Sequence, residues 1–252
     1  MELPGDEIHL HFSYPEKISD PDLLKRYASL LNVEEREQMS RLFYARHRHQ
    51  YLVTRALVRT CLSSYFQVDP ADWQFGKNGY GKPEISSPEK LSPLRFNISH
   101  CRGLIICGVT GCHDIGVDVE DAQRSTNSSF ESLSSYFSNP EMEDMAQLPS
   151  DQQQQRFFDY WTLKESYIKA RGMGLAIPLA KFSFRFEANQ LRAFETHPDL
   201  NDDASDWQFW RISRDRRYRI AVAVNSGNQQ FSLSAYNTVP LKHRDTTQLV
   251  FL

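Results

Sequence analysis

Apolar and polar positions alternate first at 8–12, where Ile8, Leu10 and Phe12 interleave with His9 and His11, the period of an edge or half-buried strand. A different period follows. Ser19 and Asp20 carry helix-start chemistry, and Leu23, Leu24, Tyr27, Leu30 and Leu31 then repeat on one helical face. The text from 33 to 66 is helical again and reads as one long helix. Residues 95–100 read as a strand running into a turn, and 103–110 as a nearly wholly apolar central strand. At 115–120 the β-branched residues predict another strand, in which period two puts Asp118 and Glu120 on one side and Val117 and Val119 on the other. Ser150 or Asp151 caps a helix that carries Phe157, Tyr160, Trp161, Leu163, Tyr167 and Ile168 and ends at Gly172 and Gly174. Alternation returns at 182–186, 207–212, 218–224 and 231–236, antiparallel strands joined by turns at 201–203 and 225–228. Strands, helices and strands in each half predict an α+β fold.

Composition narrows the class only a little. A chain of 252 residues with 40% hydrophobic and 24% charged residues is ordinary for a soluble protein with its own core, in one large or two small domains. The net charge of −3 points to no class of partner. The first residues have no basic segment followed by an apolar one, and no apolar run nears the ~18 residues that span a bilayer, so a cytoplasmic protein that does not enter a membrane is expected. The four cysteines, Cys61, Cys101, Cys107 and Cys112, form no C-x-x-C pair and read as buried reduced thiols rather than zinc ligands.

Candidate chemistry gathers in two places. On the helix, Trp161, Glu165 and Lys169 fall four apart on one face; taken alone, such a pair is a surface ion pair worth ~0.3–0.5 kcal/mol. On the strand, Asp118 and Glu120 repel unless a cation sits between them, and hard oxygen ligands favour Mg²⁺. Joined to Glu165 they make a three-carboxylate metal site. Upstream, Arg41, Arg48, Arg55 and Arg59 would form one stripe on a continuous helix, either a solvated face or a cradle for anions. The stretch 76–83 is close to a phosphate-binding P-loop, but Pro83 stands where a Ser or Thr hydroxyl is required, so a Walker-type ATPase is not expected. A glycine-rich turn with Lys82 against a nucleotide stays open, as does an ordinary loop.

Gly116-Val-Asp-Val-Glu120 and Trp161-Thr-Leu-Lys-Glu-Ser-Tyr-Ile-Lys169 resemble the two signature motifs of the 4′-phosphopantetheinyl transferase superfamily. Phe96-Asn-Ile-Ser-His100 and Gly81-Lys-Pro83 resemble two further motifs of its longer, Sfp-type branch, and the likeness spans 31–186. The resemblance implies two similar subdomains related by a pseudo-twofold, with the active site between them. These are expected at 1–112, on the nucleotide side of coenzyme A, and at 113–252, carrying the acidic motif and the W-x-x-K-E helix. It implies transfer of the phosphopantetheine arm of coenzyme A to a serine of an apo acyl- or peptidyl-carrier protein, by a monomer with no nucleic-acid partner. Asp118, Glu120 and Glu165 would bind Mg²⁺; Glu165 and Lys169 would be catalytic. Lys82, Pro83, Ser99, His100, Lys164 and Lys169 would line the coenzyme A site. The chain departs from the family pattern where Glu35 and Gln38 replace expected lysines, with Arg48, His49 or Arg55 as candidate substitutes. Two alternatives carry less: a Mg²⁺-dependent nuclease, whose usual lysine position holds Ala122, and a carrier-binding module without catalysis.

Overall fold

A computed structural model describes residues 3–88, 94–124 and 136–252 of the chain. It is an α+β protein of two compact units: 1–77, 83–113 and 231–248 make the first, and 78–82, 114–230 and 249–252 the second. The C-terminal stretch 231–248 therefore belongs with the first unit, not with 113–252 as the sequence suggests. Among the described residues no helix is long and apolar enough to cross a membrane.

The first unit is a five-stranded sheet in the order β12-β11-β1-β5-β4, made of β1 (Glu7–Ser13), β4 (Arg95–Cys101), β5 (Leu104–Thr110), β11 (Ser232–Val239) and β12 (His243–Thr246). The strand read as edge or half-buried, β1, is central: it runs parallel to β11 and antiparallel to β5, so both its faces are buried. Its polar face survives burial because His9 Nδ1 and His11 Nε2 share the Tyr65 hydroxyl, at 2.9 and 3.0 Å. Three helices accompany the sheet. Asp20 caps α1 (Pro21–Leu30) by accepting from the amides of Asp22 and Leu23. Asn32 and Glu35 form a reciprocal capping box on α2 (Val33–Ser40). The long helix α3 (Ala45–Ser63) buries Val53, Leu57, Cys61 and Leu62 in the core with Tyr27, Trp73, Phe96 and Ile105. The hairpin of β2 (Gln74–Lys77) and β3 (Pro83–Ser87) completes the unit.

The single helix expected across 33–66 is interrupted at 41–44, which dissolves the four-arginine stripe. Arg59 is buried, donating to Glu35 at 3.1 and 2.7 Å, and Arg41 lies exposed beside Glu37 on α2. The carboxylate at position 35 is thus an internal counter-ion that turns Arg59 inward. Cys61 and Cys107 are buried as expected, but Cys112 is exposed and Cys101 half-buried, because both lie at strand ends rather than within them.

The second unit is a four-stranded antiparallel sheet in the order β13-β9-β10-β6: β6 (Ile115–Asp121), β9 (Trp207–Arg214), β10 (Tyr218–Asn225) and the two-residue β13 (Val250–Phe251). The 22-residue helix α5 (Ser150–Arg171) packs against β6 and β10, and α4 (Asn139–Gln147) packs on α5. Pro149, not Ser150 or Asp151, is the N-cap of α5, and Gly172 ends it in the left-handed conformation, φ 65°. The hairpin of β7 (Phe182–Glu187) and β8 (Gln190–Thr196) adds Phe182, Phe184 and Phe194 to a core with Phe158, Leu163, Tyr167 and Trp207. The strand β8 went unseen in the sequence because its alternate residues are only half-buried.

Candidate active site

Gly116 sets how closely α5 lies on β6. A Cβ built there would stand 1.8 Å from the Ser166 carbonyl oxygen and 2.5 Å from the Ala170 amide nitrogen, so the helix backbone rests on the strand with no side chain between. One turn of helix then meets two residues of strand: Lys169 Nζ lies 2.6 Å from Asp118 Oδ1 and 3.3 Å from the Val117 carbonyl. The Asp118 side chain is 7% exposed, too little for water to screen the pair as it would at a surface.

Two further carboxylates crowd this pair. Burial, and then the charge of Asp118, push Glu120 up to about 7, against the pull of Arg124, the Trp161 indole and Lys169. Glu165 is also raised, by burial and then by Asp118, with Lys169 opposing. Glu120 and Glu165 thus each feel Asp118 and Lys169, with Arg124 Nη2 3.3 Å from Glu120 as an exposed outer partner. Their oxygens are the donor type a hard cation takes, and a cation would relieve the repulsion by Asp118 that adds to burial in raising Glu120 and Glu165, so this residue set fits Mg²⁺. Among the described residues, however, no three His, Cys, Asp or Glu side chains converge as a formed metal cage. Lys169 is bonded to Asp118 Oδ1.

Lys164, expected at the nucleotide, is a correction. Its side chain is 1% exposed, and its ammonium is used by Glu141 Oε2 at 2.8 Å and by the carbonyls of Leu179 and Phe182 at 2.9 and 2.8 Å. A lysine one residue before Glu165 must point about 100° around the helix from it, here into the core. Glu141 itself accepts from the amides of Ser138 and Phe184, so the pair ties α4, α5 and β7 together. Lys82 is likewise turned to protein: Nζ donates to the Ala170 carbonyl at 2.8 Å and the Ile115 carbonyl at 3.4 Å, while Asn78 Nδ2 donates to the Gly172 carbonyl. Half-buried on the C-terminal turn of α5, it serves as a helix stop favoured by the dipole. Pro83 opens β3.

The first unit contains a cavity of about 770 Å³ whose rim is basic. His49, Arg55 and His100 line it, joined by Arg46, His47, Gln50 and Arg102. Arg55 lies over the Tyr51 ring at 5.1 Å, and His49 Nε2 is 2.8 Å from the Pro15 carbonyl. Arg48 is not among the lining residues: Nη1 donates to the carbonyls of Leu42 and Phe43 at 2.7 and 2.8 Å, bracing the break between α2 and α3. Ser99 is buried on β4, whereas His100 is exposed. Arg102 had a legible signal, since it follows His100 by two positions; Arg46 and His47 depended on where the helix restarts. The stretch 124–129, whose run of Ser, Thr and Asn reads in the sequence as a polar loop and a place for a partner to dock, lies beyond Arg124 outside the described residues.

Residues 114–223 match the family model described as the 4′-phosphopantetheinyl transferase superfamily, and 19–109 match that of the 4′-phosphopantetheinyl transferase N-terminal region. The chain is 31% identical to the 4′-phosphopantetheinyl transferase HetI of Nostoc sp. over 226 residues, 89% of this chain and 90% of that protein. It is 32% identical to the 4′-phosphopantetheinyl transferase Sfp of Bacillus subtilis over 79% of this chain and 84% of that one. A further Bacillus subtilis 4′-phosphopantetheinyl transferase is 35% identical over the same shares. With its acidic strand and E-x-x-x-K helix in contact, and with relatives matched over nearly their whole lengths, the chain belongs to the 4′-phosphopantetheinyl transferase superfamily.

Proposed function

We propose that this chain transfers the 4′-phosphopantetheine arm of coenzyme A to a serine hydroxyl of an apo acyl- or peptidyl-carrier protein, releasing adenosine 3′,5′-bisphosphate. The observation that carries the reading is the acid cluster of the second unit, where Lys169 contacts Asp118 while Glu120 and Glu165 are pushed up by burial and then by Asp118. Such a cluster gains from a divalent cation and an incoming pyrophosphate together.

Asp118, Glu120 and Glu165 are the residues that would hold Mg²⁺, which when bound would neutralise charge on the pyrophosphate. Glu165, raised by burial and then by Asp118, is the carboxylate that would take the serine proton. The serine oxygen forms a bond to the phosphorus that carries the pantetheine arm as the bridging P–O bond breaks, and the electron pair leaves with the nucleotide. Lys169 offsets the charge that develops there. In the first unit, Arg55, Arg102, His49 and His100 offer donors to the phosphates of the nucleotide end, the guanidinium forks in bidentate fashion. The reading carries with it a cytoplasmic, monomeric enzyme.

Incubation of the protein with coenzyme A, Mg²⁺ and a panel of apo carriers, read by intact mass, tests reaction and partner together. Asp118→Ala and Glu165→Gln are expected to abolish labelling while the circular dichroism spectrum is kept; labelling at the wild-type rate by either variant overturns the mechanism.

A further inference from the structure

A second cavity of the first unit, about 380 Å³, shares no lining residue with the larger one. One wall is the last turn of α3, with Thr60 and Ser64; the other is the hairpin of β11 and β12, with Thr238, Lys242, His243 and Arg244. All six side chains can donate a hydrogen bond and none is a carboxylate. Three consecutive basic residues stand here with little to balance them. Among the described residues the one acid within ion-pair reach is Asp245, 3.6 Å from His243 Nε2 and itself exposed.

The walls are braced rather than loose. The half-buried Arg244 guanidinium lies over the Tyr236 ring at 4.8 Å and donates from Nη1 to Ser64 Oγ at 3.3 Å, which leaves its other N–H groups a fixed plane. At the hairpin tip Leu241 is held at φ 57°, a left-handed conformation uncommon for a branched side chain, and its amide donates to Thr60 Oγ1 at 3.3 Å. Beneath lies His11, buried and bonded through Nδ1 to Thr238 Oγ1 at 3.1 Å; burial, and then the charges of Arg244 and His9, hold it down near 3.

We propose that this cavity is an anion site that takes a phosphate group, either inorganic phosphate or the terminal phosphate of a small phosphomonoester. Arg244 supplies the planar fork and Lys242 the mobile point charge, with the hydroxyls of Thr60 and Thr238 at the sides. Its volume is about half that of the basic cavity lined by Arg55 and His100, which suits a group smaller than a nucleotide. The inference does not depend on the transferase reading.

The test is an amide NMR titration of the full chain with inorganic phosphate at constant ionic strength, with chloride as the reference salt and glycerol 3-phosphate as a second arm. Saturable shifts at Ser64 and at 242–244, with a dissociation constant on the order of 1 mM, are expected. Arg244→Gln should weaken binding roughly tenfold or more, the exposed Lys242→Gln by less, and Arg192→Gln, exposed on β8, not at all. Equal affinity for the two probes assigns the site to the phosphate group alone, and tighter binding of the ester assigns it to phosphomonoesters. Shifts that never saturate, that chloride reproduces, or that survive in both Arg244→Gln and Lys242→Gln overturn the proposal.

Discussion

Adding one methyl group at Gly116 should separate the two elements that make the acid cluster. The built Cβ lies 1.8 Å from the Ser166 oxygen, whereas carbon and oxygen without a bond need about 3.2 Å or more, so α5 must retreat from β6 by roughly 1.5 Å at that turn. Lys169 is three residues further along the helix, and its 2.6 Å contact with Asp118 cannot survive such a shift without a change of rotamer. Displacement of about 1 Å at a reacting group costs on the order of a hundredfold in rate, and overpacking of this kind costs about 1–3 kcal/mol of stability. For a chain of this size that is a fall of ~3–10 °C in Tm. The assay is kcat for carrier labelling with calorimetry on Gly116→Ala, beside Gly79→Ala, where a Cβ would meet nothing within 4 Å and neither quantity should move. Gly116→Ala with wild-type kcat and Tm would show that the helix does not rest on the strand, and the geometric account of the site would fail.

Lys169→Ala should lower kcat by roughly 10²–10³, measured by steady-state labelling, with a fall in Tm as well because it takes the ammonium from a buried carboxylate; a loss confined to Tm would mark the Lys169–Asp118 contact as a purely structural ion pair. Lys164→Met should cost about 3–5 kcal/mol in denaturant unfolding, because it strands the buried Glu141 carboxylate, and leave KM for coenzyme A unchanged in the folded fraction; a raised KM at full stability would return Lys164 to the substrate. His11 is held down near 3 when folded, so below its unfolded value of 6.5 the unfolded chain binds the extra proton: the stabilisation is complete above about pH 6.5 and is lost as pH falls toward 3. From this group alone, unfolding free energy at about pH 5 should be roughly 2 kcal/mol lower than at about pH 8, a slope that His11→Gln removes and whose persistence in the variant would count against the assignment. His100→Ala, at an exposed position on the rim of the larger cavity, should raise KM for coenzyme A about tenfold with Tm unmoved; an unchanged KM would remove His100 from the nucleotide's path.

Local chemistry was legible wherever it repeats at a fixed period. The face shared by Glu165 and Lys169, the alternation that carries Asp118 and Glu120, the Asp20 cap and the Gly172 stop all follow from spacings of two, four or one turn. So did the α+β class and the family, since the motifs are short runs within single elements. What spacing could not supply was partnership across the chain. Lys164 and Lys169 are both lysines of one helix, yet one is neutralised in the core by Glu141 and the other meets Asp118, and only packing distinguishes them. The arginines at 48, 55 and 59 read alike, but their fates were decided by a helix break at 41–44 and by a glutamate 24 residues before Arg59. The strand at 7–13 carries edge-like alternation and still became the centre of its sheet, because a segment more than 200 residues later returned to pair with it. Sequence alone determined which groups each element presents and on which side, because rotation per residue is a property of the backbone. Tertiary structure alone decided which of those groups are left for substrate, because that depends on what the rest of the chain brings within hydrogen-bonding reach.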